Sequence, residues 1–191
     1  MTDPGRFTEG QLEYEGIDVI VITHTHADHL DPDTIAEVAS KSPDAVFIAN
    51  TDVGAALAKK DIPFETIPHG ETKQIKDVLI QAFDAPHEKI YEGVPRPENT
   101  GYLINKTLYI PGDSYAIPDM EIPVLAAPFS APWGTLGGSI DYVKQVAPKK
   151  TFPIHDGMLS AYGPFHYHPG NILPDANIEF IPLKPGEDLE V

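Results

Sequence analysis

"THTHADHLD", residues 23–31, follows the run Ile17-Asp18-Val19-Ile20-Val21-Ile22 and sets three histidines and two aspartates within nine residues. The preceding run is β-branched at every position except Asp18. That is the pattern of a strand covered on both faces, and such strands belong to layered α/β domains. The stretch after it is too polar for core. Ionisable side chains crowded at the end of an apolar strand are costly to desolvate unless something coordinates them. His24 and His26 stand two apart and cannot share a helix face. In an extended turn alternate side chains point the same way, so both can meet one ion. Asp28 and His29 are adjacent, and a turn there aims both at a second position.

Outward from this stretch, "LDPDTIAEVASKSP" predicts a helix. Asp31 caps it, Pro32 and Asp33 suit its first turn, and it stops near Lys41, before Pro43. "AVFIA" (45–49) reads as a second strand, "TDVGAALAKKD" (51–61) as a helix capped by Thr51, and "PFETI" (63–67) as a third strand. Strand and helix alternate, as in parallel βαβ units. The pattern then changes to strands joined without helices: 76–85, 100–104 and 107–113, the last two through the turn Asn105-Lys106. Residues 86–99 form a long loop of the kind that carries function. Further expectations are a strand at 122–128, a helix from Ser139 to Pro148, a short strand at 151–155, and a closing hairpin from 178–183 and 187–191. No internal repeat, low-complexity block or linker appears, so residues 1–191 are expected to form a single domain.

His87, Asp113 and His155 each follow an expected strand, and His69 follows the strand ending at Ile67. Groups at strand ends of a layered α/β fold converge on one rim, where such folds place their sites. Imidazoles with carboxylates suit zinc, manganese or iron, and suit neither calcium nor an iron–sulfur cluster. A lone histidine after a strand is usually a surface or satisfied core residue, and His69 is weighed as that. His166 and His168, in "PFHYHPG", form a second His-x-His pair with no carboxylate adjoining; a surface or substrate-pocket role outweighs metal binding for both. Trp133, in "SAPWGTLGG", either lines the substrate pocket or plugs the core between that loop and the following helix.

The 191-residue chain is 41% hydrophobic, enough for one well-packed domain. Lys and Arg number 13 against 29 Asp and Glu, a formal net charge of -16, which argues against a nucleic-acid partner. An anionic substrate needs a local positive centre, and a bound divalent cation supplies one. No cysteine is present, so disulfides and thiolate ligands are excluded. The opening "MTDPGRFTEG" has no signal-peptide character, and no apolar run is long enough to span a membrane, so a cytoplasmic protein is expected.

"THTHADHLD" resembles the His-x-His-x-Asp-His signature of the metallo-β-lactamase superfamily, and "AFDAPHE", "LYIPGDS" and "TFPIHDG" resemble its downstream stations. "TDPG", "NTGYLI", "SAPW" and "PIHDG" are similar in particular to the branch of metal-dependent hydrolases related to L-ascorbate-6-phosphate lactonases. The resemblance runs from Thr2 to about Gly157. It implies a four-layer αβ/βα sandwich with two divalent ions, zinc foremost, at the common edge of its sheets. His24, His26 and His87 would hold the first ion, and Asp28, His29 and His155 the second. Asp113 would bridge them, and Asp28 would also orient the attacking water or accept its proton. The implied activity is hydrolysis of a small ester, lactone or phosphoester by a metal-bound hydroxide, with His166, His168 and metal-bound water all open as the leaving-group acid. The alternative is a metal-stabilised structural or binding protein without turnover. Members of this branch begin about two strands before the Asp-Pro-Gly that stands here as Asp3-Pro4-Gly5. The first sheet is therefore expected to be short, with an exposed edge near residues 6–22 that favours a homo-oligomer unless residues 177–191 fold across it.

Overall fold

The computed structural model describes residues 1–8, 10–184 and 186–190, and stacks two sheets between flanking helices. β1 (Val19–Ile22) and β2 (Val46–Ala49) pair in parallel across α1 (Pro32–Lys41), and α2 (Thr51–Ala58) follows β2. The second sheet has seven strands in chain order: β3 (Thr72–Ile75), β4 (Val78–Asp84), β5 (Thr100–Ile104), β6 (Leu108–Ile110), β7 (Val124–Pro128), β8 (Lys150–Ile154) and β9 (Glu179–Phe180). It is antiparallel from β3 to β6 and parallel from β6 to β9. α3 (Leu136–Val146) connects β7 to β8, and α4 (Gly163–Ile172) lies between β8 and β9. This is the αβ/βα sandwich that the resemblance implies. Among the described residues no helix is long and apolar enough to cross a membrane.

The unbroken apolar pattern of β1 has a direct cause. Ile20 and Ile22 pack with Ile35 and Val38 of α1 and Val53 and Leu57 of α2. Val19 and Val21, with Ile48 of β2, pack instead with Ile80, Ala82 and Tyr102 of the second sheet. On that sheet's far side Leu125 and Ala127 pack with Ile140 and Val143 of α3. Each such Val, Leu or Ile side chain, fully buried, contributes about 1.5–3 kcal/mol. β1 is thus sandwiched on both faces, and its end is held rigidly.

Several local expectations are corrected. Asp31 caps α1 as expected, accepting from Thr34 N at 3.1 Å, but α2 is capped by Asn50, which accepts from Val53 N at 3.0 Å, and not by Thr51. α3 begins before Ser139. Thr135 caps it, and the Ser139 hydroxyl donates to Pro128 O at 2.7 Å, tying the helix to β7. Residues 63–67 form no strand. They begin with Pro63 and are followed by Pro68, which have no N–H to give, and leave a single parallel bridge between Ile48 and Glu65. β3 was unforeseen because "TKQI" buries only Ile75. α4 was unforeseen because it carries Pro169 in its interior. The closing hairpin does not form: β9 is two residues long and pairs in parallel with β8, and 187–190 carry no strand, while Val191 lies outside the described residues.

The edge of β1 expected to be bare is occupied by the start of the chain. Thr2 bridges Val21 in parallel, Asp3 N donates to Val21 O at 2.9 Å and Val21 N to Met1 O at 3.0 Å. That pairing delivers Asp3 to the end of β1.

Candidate metal centre

Four strands end on one rim. β1 leads to His24, His26, Asp28 and His29; β4 leads to His87; β6 to Asp113; and β8 to His155. The 23–30 loop folds back on itself, with His29 N and Leu30 N both donating to His26 O. Gly5 lies flat against this loop: a Cβ there would sit 1.9 Å from Asp28 O. At β6 the turn needs Gly112, whose φ is +62° and whose added Cβ would meet Asn99 Oδ1 at 2.2 Å. His155 itself has φ +69°, uncommon outside glycine, and backbone strain of this kind concentrates at functional sites.

The seven side chains gather into two groups whose candidate ligand atoms lie within 4.8 Å of one another: His24, His26, His87 and Asp113; and Asp28, His29 and His155. In the first group His26 Nδ1 lies 3.2 Å from His24 Nε2 and 3.1 Å from His87 Nε2. In the second, His29 Nε2 and His155 Nε2 stand 2.9 Å apart, with Asp28 Oδ2 at 3.5 and 3.8 Å. Ligands about 2.0–2.1 Å from a tetrahedral zinc ion stand about 3.3 Å from each other. Asp113 connects the groups: Oδ2 lies 3.3 Å from His87 Nε2 and 3.8 Å from His24 Nε2, while Oδ1 lies 3.0 Å from His155 Nε2 and 3.3 Å from His29 Nε2. Oδ1 is buried without a well-directed hydrogen bond, as is His155 Nδ1. The donor set fits divalent cations at both positions.

The far nitrogens of the rings decide their tautomers. His87 Nδ1 lies 2.6 Å from Glu88 O, a carbonyl, so the nitrogen donates and Nε2 keeps its lone pair. His29 Nδ1 lies 2.8 Å from the Asp3 carboxylate. Thr23 Oγ1 donates to the same Asp3 oxygen at 2.8 Å, so it is free to accept from His24 Nδ1 at 3.0 Å. His24 and His87 therefore turn bare Nε2 atoms inward, each fixed from behind, as metal-binding histidines generally are, and His29, held in the same way by Asp3, would bare its Nε2 on giving up its second proton.

Burial, with the neighbouring imidazoles, pushes His24 down to about 2 and also lowers His26, so both stay neutral. Burial opposes charge on His29, but the Asp3 carboxylate and hydrogen bonds to Asp113, Asp28 and Asp3 outweigh it and hold a proton there. Burial would raise Asp28, yet the His29 hydrogen bond and the His29 and His155 charges hold it at about 2. Burial would likewise raise Asp113, and the imidazoles of His155, His29 and His87 gathered around it keep it well below the usual carboxylate range.

Of the other candidates, Trp133 reaches the centre: its Nε1 donates to Asp113 Oδ2 at 2.7 Å, and its ring packs edge-on against Tyr115. His166 bonds Asp156 Oδ2 at 2.6 Å and stacks on Tyr162, outside both groups. His168 lies exposed on α4 beside Tyr167, also outside both groups. His69 accepts from Asp84 N at 2.7 Å and belongs to neither. The sequence reading missed Asp3, Thr23 and Asn99. Asn99 clamps two site loops, donating to Ala85 O at 2.6 Å and Pro111 O at 2.9 Å and accepting from Asp113 N at 3.2 Å. The available signal was the place of Asp3 in "TDPG", of Thr23 at the head of "THTHADHLD" and of Asn99 in "NTGYLI".

A sandwich of this form with two His/Asp groups at its sheet edge defines a metal-dependent hydrolase of the metallo-β-lactamase type. Residues 3–155 match the β-lactamase superfamily domain, and the chain belongs to that family. It is 30% identical to protein Rv0786c of Mycobacterium tuberculosis over 163 residues, 83% of this chain and 76% of that protein. It is 28% identical to a metal-dependent hydrolase of Pyrococcus horikoshii over 196 residues, 94% of this chain and 84% of that protein. A solved structure from Parabacteroides distasonis, provisionally classed as a metal-dependent hydrolase, superposes with a TM-score of 0.73 at 25% identity, covering 94% of this chain and 82% of its own. The metallo hydrolase Igni18 of Ignicoccus hospitalis shares the fold with a TM-score of 0.70 at 20% identity, covering 97% and 84%.

Proposed function

We propose that the chain, acting as one domain, is a two-metal hydrolase of a small ester, lactone or phosphoester. His24, His26 and His87 would hold one ion and Asp28, His29 and His155 the other, with Asp113 a ligand shared between them. The observation that carries this reading is Asp113, which turns one oxygen to each group of inward-facing imidazole nitrogens. Zinc suits the nitrogen-rich set best, with manganese or iron as alternatives. Divalent ions held there supply Lewis acidity and activate water for attack on a carbonyl or phosphoryl group.

The chain's own residues do the rest. Trp133 holds Asp113 from the side, and Asp3 holds His29 and Thr23 from behind. Asp28, kept at about 2, remains an anion that orients a water by accepting its hydrogen bond and is a weak proton acceptor. The lactone option rests on the likeness of the sequence stretches above to L-ascorbate-6-phosphate lactonases. Elemental analysis after metal supplementation is the test, followed by a screen of esters, lactones and phosphoesters. Content near two ions per chain with turnover supports the reading. Content near zero in folded protein refutes it, and two bound ions without turnover anywhere in the screen leave a metal-stabilised binding protein.

A further inference from the structure

His24, His29 and His87 are each fixed from behind at Nδ1, whereas His155 Nδ1 is buried with no hydrogen-bond partner among the described residues. Its main chain is also the most strained of the set. Of the seven candidate ligands His155 alone has a positive φ, +69° with ψ -8°, a left-handed conformation that side chains other than glycine seldom adopt. No hydrogen bond aims this ring from behind, so its direction depends on what holds the main chain on either side of it.

Upstream the hold is the sheet: β8 pairs with β7 as far as Ile154, and Phe129 N donates to Ile154 O at 3.1 Å. Downstream it is a side-chain pair. Asp156, the next residue, is buried, and its Oδ2 accepts from His166 Nε2 of α4 at 2.6 Å. Hydrogen bonds to a carboxylate are about twice as strong as those between neutral groups. His166 is itself held on two sides. The Tyr162 ring lies parallel to it at 4.6 Å and 9°, and Phe180 of β9 meets it edge-on at 6.1 Å. Phe180 packs in turn on Phe129, which is fully buried in the core under α3. The turn that follows β8 is thus tied, through Asp156 and His166, to a fixed point of the core.

Resting on the two-metal reading above, we propose that His166 is a positioning residue for the metal centre: through its bond to Asp156 it fixes the left-handed turn at His155, and so sets the affinity for the ion held by Asp28, His29 and His155. It touches neither ligand group itself. The ion at His24, His26 and His87 draws no ligand from this turn and is independent of the brace.

The test is titration of the metal-free protein with cobalt(II), followed by calorimetry and by the visible bands that report the geometry of the bound ion. His166→Phe keeps a flat ring against Tyr162 and removes the donor. The second ion should then bind about tenfold to a hundredfold more weakly, as when the group behind a metal ligand is removed, with its bands shifted and the first step unchanged. His166→Gln places an N–H at a similar reach and should restore most of that loss. Tyr167→Gln, at an exposed neighbour on the same helix, should titrate like the parent. If the Phe variant does not fold, His166→Ala takes its place with the same expectation, alanine being the best helix former. Two unchanged steps, both steps weakened alike, or a Gln variant no better than the Phe variant would each overturn the assignment while the parent's two steps keep the two-metal reading. A parent that takes up no second ion would sink that reading and the brace with it.

Discussion

Replacing Asp3 by Asn tests the hydrogen-bond relay behind the centre while barely changing shape. Asp3 sits at φ +41°, a region Asn tolerates well, so the backbone is not disturbed. Its Oδ1 accepts from Thr23 N at 2.7 Å, and Oδ2 accepts from both Thr23 Oγ1 and His29 Nδ1 at 2.8 Å. All three contacts point hydrogens at the carboxylate. An Asn side chain keeps its oxygen on the Thr23 main-chain N–H, because the reverse orientation leaves that group unsatisfied at about 1–3 kcal/mol. Its NH₂ then faces His29 Nδ1, donor against donor. His29 escapes by moving its proton to Nε2, the atom that must bind the ion, which is the wrong-tautomer effect known from triad aspartates. Removing a partner of this kind weakens metal binding about tenfold to a hundredfold, or about 1.4–2.7 kcal/mol. The loss should fall on the ion held by His29, Asp28 and His155, with the ion at His24, His26 and His87 affected less. Competition titration with a chromophoric chelator resolves the two steps, and a melt of the metal-free variant checks the fold. Two unchanged binding steps in a folded variant would refute the relay.

Asp113→Asn should reduce bound metal toward one equivalent and lower turnover by about two orders of magnitude or more, in line with the several kcal/mol that such ions supply; steady-state kinetics and elemental analysis check both. Trp133→Phe keeps the packing on Tyr115 but removes a bond to a charged group, about 1.5–3 kcal/mol, so kcat should drop by at least about tenfold at unchanged metal content. Chelation should abolish hydrolysis. It should also lower Tm by about 8–16 °C per site if the ion had been present at about a thousand times its Kd, since that excess contributes about 4 kcal/mol and a chain of this size shifts about 2–4 °C per kcal/mol. Gly5→Ala drives a methyl into Asp28 O and should cost about 1–3 kcal/mol along with affinity for the second ion; a thermal melt at parental Tm would refute that contact.

Much of the centre was legible because its information is local. A β-branched strand that breaks into alternating histidines and carboxylates states both the burial before the break and the need for a cation after it. His87, Asp113 and His155 were readable for the same reason: each terminates an apolar run, and the fold carries those runs to one edge. What stayed hidden depends on contacts across the chain. Asp3 meets Thr23 and His29, 20 and 26 residues away, and Asn99 meets Asp113 14 residues away. In sequence they are ordinary turn residues. Trp133 illustrates the same limit, since pocket-lining and core-plugging predict identical composition and only the bond to Asp113 separates a third role. β3 and α4 were missed because their apolar signals are one residue and a proline-interrupted turn, too weak to outvote loop chemistry.

Charge explains why this arrangement calls for ions instead of basic side chains. Asp3, Asp28 and Asp113 meet around the imidazoles, and among the described residues none of them pairs with a lysine or arginine; Arg6, the nearest guanidinium in sequence, is engaged by Asp31 at 2.9 Å. Without a cation these carboxylates hold a proton on His29. Two divalent ions would displace that proton and outweigh the three carboxylates by a single positive charge. A chain of net charge -16 would then present one locally positive point on its rim. That is where an electron-rich carbonyl oxygen gains most as charge develops on it, because the surrounding low-dielectric walls leave the attraction unscreened.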